Sequence, residues 1–72
     1  MEKHDQELIH SLLDQDDELR RHYQEHQEYE RQLEELRRKH HLTAEEEVEQ
    51  KRVQKLKLAG MDRIMEIVRR HR

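Results

Sequence analysis

The stretch LIHSLLDQDDELRRHYQEHQEYERQLEELRRKH, residues 8–40, decides the fold. Stepping alternately by four and three residues from Leu8 meets Leu12, Gln15, Leu19, His22, His26, Tyr29, Leu33, Leu36 and His40. Such a seam marks a helix with one interfacial stripe, and it requires a second helix against it. Residues from Ala44 onward supply one: Val53, Leu56, Gly60, Ile64 and Ile67 fall within a narrow arc at about one hundred degrees per residue. A second apolar arc, Leu58, Met61, Met65 and Val68, adjoins the first and exceeds what a single partner helix covers.

Two places interrupt the helical pattern. Asp14-Gln15-Asp16-Asp17-Glu18 holds mostly weak helix formers, and Asp16 followed by two acids makes an N-cap whose neighbours suit the positive end of a helix dipole. The heptad register nevertheless runs through Gln15 without a phase shift, so a kink or break here is an expectation from residue type alone. The second interruption is sharper. Thr43 caps a new helix, and Glu46, three residues on, reaches back to the Thr43 amide as a capping box. The expected elements are helices over 5–13, 17–40 and 44–70 in one domain, 1–72. With a connection of about three residues, the two long helices should be antiparallel neighbours. Gly60, the only glycine, sits inside the last helix, either to permit close packing or as a tolerated weakness.

Composition limits what this fold can do. Only 31% of residues are apolar and 46% are charged, against roughly 25% charged in an average globular chain, so the core must be thin. There is no cysteine, which leaves oligomerisation or metal as reinforcement for so short a chain. No stretch approaches the roughly twenty apolar residues of a membrane span, and the residues after Met1 do not read as a signal peptide, so a cytoplasmic protein is expected. Charge is also sorted along the chain. Residues 1–50 carry sixteen acids against seven bases, and residues 51–72 carry two against eight. Folding the basic part back along the acidic part satisfies both, a further reason to expect a hairpin.

Few residues suggest chemistry. His22-Tyr23-Gln24-Glu25-His26 spells the H-x-x-E-H pattern of inverted zinc proteases, but a third ligand and a substrate cleft are missing from the pattern. Zinc held by His22 and His26 alone, or by His40 and His41 with Glu45 or Glu46, is the weaker metal reading. The simpler one places His22 and His26 at interfacial heptad positions, where they trim the stability of the seam and make association depend on pH. No Gly-rich phosphate loop, nucleophilic cysteine or supported Ser/His/Asp set is present, so neither an enzyme nor a cofactor is expected. Lys51, Arg52, Lys55, Lys57, Arg63, Arg69, Arg70 and Arg72 make a nucleic-acid accessory protein the alternative function, although they do not share one face and no aromatic residue lies among them.

Taken in order, Leu12-Leu13, Asp16, Glu18-Leu19, Tyr23, Leu42-Thr43 and Lys55-Leu56-Lys57-Leu58-Ala59-Gly60-Met61-Asp62-Arg63-Ile64 resemble the YdcH-like family of small bacterial proteins of unknown function. The resemblance implies a short helical hairpin that associates, and it brings no activity. Family members often carry proline where this chain has Asp17 and Ala44, both helix-start positions. The expected function is a structural or protein-interaction module that works through its helix faces. Its expected partner is a second copy, two hairpins forming a four-helix bundle through Leu8, Leu12, Leu58, Met61, Met65 and Val68. The competing arrangement folds the first helix back over the second arc within one chain, as a three-helix bundle.

Overall fold

Two side-chain caps divide the chain into three helices, and the computed structural model describes residues 3–71: α1 (Lys3–Leu12), α2 (Asp17–Arg37) and α3 (Ala44–Arg70). At the first break, the Asp16 backbone is extended and its Oδ1 accepts from the Leu19 N–H at 3.0 Å, satisfying an amide that a helix start leaves without a partner. The amides of Gln15 and Asp16 both donate to the Leu12 carbonyl at 3.0 Å, ending α1 in a tight turn. From the α2 side, Arg20 donates to the Leu13 carbonyl. At the second break the capping box is complete: Thr43 Oγ1 accepts from the Glu46 amide at 3.1 Å and Glu46 Oε1 from the Thr43 amide at 3.0 Å.

The expected ends shift slightly. α1 runs from Lys3 to Leu12 where 5–13 was expected, and α3 spans 44–70 as read. α2 closes at Arg37, not at 40, so the connection covers residues 38–43. The Arg38 amide still donates to the Glu34 carbonyl, but the Lys39 amide turns to Leu36, three residues back, and the helix tightens out of register. The Lys39 ammonium then reaches across the connection to the Glu46 carboxylate.

α2 and α3 pack as a hairpin, and α1 folds back onto α3 at the open end. Along α2 the heptad seam is preserved: Leu19 and Leu33 are buried, and His22, His26, Tyr29 and Leu36 are half-buried. Gln15 and His40 leave the seam and are exposed, because each lies in a connection. On α3, Val53, Ile64 and Ile67 are buried while Leu56 lies at the rim. The main core forms where all three helices meet, from Ile9, Leu12, Leu19, Ile64, Ile67 and Val68, with Leu8, Leu13 and Tyr23 against it.

Charge sorting becomes helix pairing. Glu18 of α2 accepts Arg63 and Arg70 of α3, Glu30 takes Lys57, and Asp16 Oδ2 lies 3.1 Å from His71 Nε2. These pairs lie at the half-exposed rim of the helix interface, and each contributes about 0–1 kcal/mol, so together they choose register and direction more than they add stability.

A methyl group at Gly60 would meet nothing within 4 Å, and its φ is not positive, so close packing does not explain this glycine. Gly60→Ala should therefore stabilise the protein by roughly 0.5–1 kcal/mol through helix propensity. Thermal unfolding should show a midpoint several degrees higher, whereas Thr43→Ala should lower stability by about 1 kcal/mol.

Candidate functional site

The six residues expected to form an association face divide into three groups. Leu12 and Val68 belong to the core, a correction to their place on a free face: α1 lies over the C-terminal half of α3 and covers both. Leu8, Met61 and Met65 are half-buried at the edges of that contact. Leu58 is left 65% exposed, since it precedes the segment of α3 against which α1 packs. With Val48, 68% exposed, it is the most accessible large apolar side chain among the described residues of α3.

Of the H-x-x-E-H residues, His22 and His26 lie half-buried on the inner side of α2, while Glu25 is exposed. His22 Nδ1 stands 4.0 Å from Glu25, on the same helix. His26 faces α3, where Glu30 and Lys57 form an ion pair beside it. Its Nδ1 is buried without a hydrogen-bond partner among the described residues. No group of three or more His, Asp or Glu side chains converges to hold a metal among the described residues. His40, His41 and Glu45 are exposed, and the Glu46 carboxylate is occupied by the capping box and by Lys39.

His26 also lines an open cleft of about 240 Å³ between the three helices, together with Gln6, Ile9, His10, Tyr23, Met61 and Ile64. The rings of His10 and Tyr23 meet edge to face across it, 5.7 Å between centroids. Sequence reading placed Tyr23 on α2 but missed this contact, because His10 reaches it only after α1 has turned back. Also missed was Asp5, buried in the first turn of α1, where the helix dipole favours an acid.

Burial pushes the His26 imidazole below its ordinary value; Glu30 draws it up, and Lys57 pushes it down again. The Glu30 carboxyl is held low by its bond to Lys57. Among the basic residues of α3, Lys57, Arg63 and Arg70 are engaged by α2 and Arg52 by Glu49 on its own helix. Lys51, Lys55 and Arg69 carry no ion pair among the described residues and are exposed.

Compared with protein-family models, with curated proteins and with solved structures, the chain matches none. No helix among the described residues is long and apolar enough to cross a membrane.

The His26 environment makes stability depend on pH with a defined sign. Its folded pKa lies below the unfolded value of 6.5, so between the two the unfolded chain binds more protons and stability rises with pH. The His26 contribution is complete above about 6.5 and is lost as pH falls through the unfolded and then the folded value. In urea unfolding, the wild type should lose more stability between pH 7 and pH 5 than His26→Leu does; equal losses would remove His26 as the cause.

Proposed function

We propose that this chain is a small, non-enzymatic helical interaction module whose first partner is a second copy of itself, with two hairpins joining as a four-helix bundle. The observation that carries the reading is the exposed apolar surface of α3. Leu58 stands in solvent, with half-buried Met61 and Met65 beside it, on a helix already covered on its other side by α2 and α1. Burying even several hundred Å² of such surface, at about 25 cal/mol per Å², contributes several kcal/mol, comparable with the whole stability of so small a domain. A protein that buries few apolar residues gains proportionately from a second layer.

The resemblance to the YdcH-like family agrees with this reading, since it too implies a hairpin that associates. Nucleic-acid binding is less well supported: Lys57, Arg63 and Arg70 spend their charge on Glu30 and Glu18 within the chain.

Sedimentation equilibrium from micromolar to millimolar concentration should give dimer mass, and Leu58→Asp should shift it toward monomer while helicity is kept. Monomer mass throughout would contradict the proposal. In a parallel titration with mixed nucleic acid at low salt, binding should be weak; tight binding that falls steeply with salt would favour the alternative.

A further inference from the structure

The outward face of α3 carries a charge order that is self-complementary when reversed. Stepping by three and four residues along it meets Val48, Lys51, Lys55, Leu58, Asp62, Met65 and Arg69, which at about one hundred degrees per residue share one side of the helix, away from Val53 and Ile64. The signs run in blocks. Acids stand at 45, 46, 47 and 49 and bases at 51, 52, 55 and 57, then come Leu58 and Ala59, followed by the acids Asp62 and Glu66 and the bases Arg69 and Arg70. The exception inside the later acidic block, Arg63, is already held by Glu18 of α2 and by Glu66.

Placing a second α3 antiparallel to the first, with a two-fold axis between Leu58 and Ala59, sets each block against its opposite. Lys55 comes level with the second copy's Asp62, both about 5 Å along the helix from the axis at 1.5 Å per residue. Lys51 comes level with Glu66, Arg69 with Val48 and Arg70 with Glu47. A parallel pairing in register would instead set like charge on like. Lys51, Lys55, Asp62 and Arg69 are exposed and make no ion pair among the described residues, while Glu66, also exposed, is shared with Arg63 of its own helix, so the Lys55–Asp62 pairs are the ones the arrangement rests on. Leu58, the most exposed apolar residue near the middle of α3, falls at the axis.

We infer that the two copies meet through α3, antiparallel, about a two-fold axis at Leu58 and Ala59, with reciprocal Lys55–Asp62 pairs on either side. This rests on the self-association proposed above and names its surface and direction: because the face lies opposite α2, the four long helices form a layer with the two α3 helices at its centre, and not a bundle closed around one core. A two-fold interface uses the same patch twice, so every pair it forms is formed twice.

The test combines charge exchange with cross-linking. Lys55→Glu and Asp62→Lys, each alone, should weaken the dimer by about ten-fold or more, since each turns two attractive pairs into two repulsive ones. The double exchange Lys55→Glu with Asp62→Lys should restore affinity to within about three-fold of wild type, because the pairs are re-formed with signs reversed. Circular dichroism should show all three variants folded, as the exchanged side chains are exposed. The chain has no native cysteine, so Leu58→Cys should form an inter-chain disulfide on mild oxidation. Val48→Cys should not, its copies lying about 30 Å apart along antiparallel helices. A dimer whose affinity ignores both single exchanges, or which cross-links through Val48→Cys, would overturn the surface and direction while leaving self-association standing. A wild-type chain that sediments as monomer would overturn both.

Discussion

The bond from the Leu19 amide to Asp16 Oδ1 is the interaction on which the open end of the molecule depends. Without a new helix start at Asp17, residues 3–37 would run as one rod and carry Ile9 and Leu12 away from α3. With it, the chain leaves α1 through a turn at residues 13–15, and α1 can swing back over the end of α3. The same carboxylate meets His71 through its other oxygen, tying the start of α2 to the last turn of α3. The Leu19 amide first, and His71 second, hold the Asp16 carboxyl below its ordinary value. A substitution here removes a cap, a contact between the start of α2 and the end of α3, and the geometry that buries α1.

That geometry matters because apolar surface is scarce. The hairpin alone would leave Ile64 and Val68 covered on one side only, and α1 brings Ile9 and Leu12 to them. The fold thus concentrates its burial at one end, while toward the connection the interface thins to Leu33 and Val53 with half-buried Leu36. There, polar interactions define the geometry: the capping box at Thr43, Lys39 reaching Glu46, and Lys57 on Glu30. Such contacts are specific in direction and modest in energy.

Much of this architecture is legible in the residues because the signals are local. Thr43 and Glu46 specify the start of α3 within four residues, and the spacing of Leu19, His22, His26, Tyr29 and Leu33 specifies which side of α2 is inward. The end of α2 is less legible: Arg38, Lys39 and His40 are compatible with helix, and α2 stops earlier because the chain must turn toward the Thr43 cap. Least legible is the partition of the second apolar arc. Spacing alone groups Leu58 with Val68, but α1 covers Val68 and not Leu58, and that follows from where α1 lands along α3. The His10–Tyr23 contact was hidden for the same reason, needing the fold-back of α1 before its partners are neighbours, and the Asp16–His71 pair needs the α2–α3 hairpin to close first.

The most direct measurement of that fold-back is a set of methyl contacts in solution. In a sample mixing isotope-labelled and unlabelled chains, the methyl groups of Ile9 and Leu12 should show nuclear Overhauser contacts to those of Ile64, Ile67 and Val68 within one chain, and chemical shifts at residues 13–15 should leave the helical range. Helical shifts running unbroken from α1 into α2, with those methyl contacts absent or found only between different chains, would contradict the account.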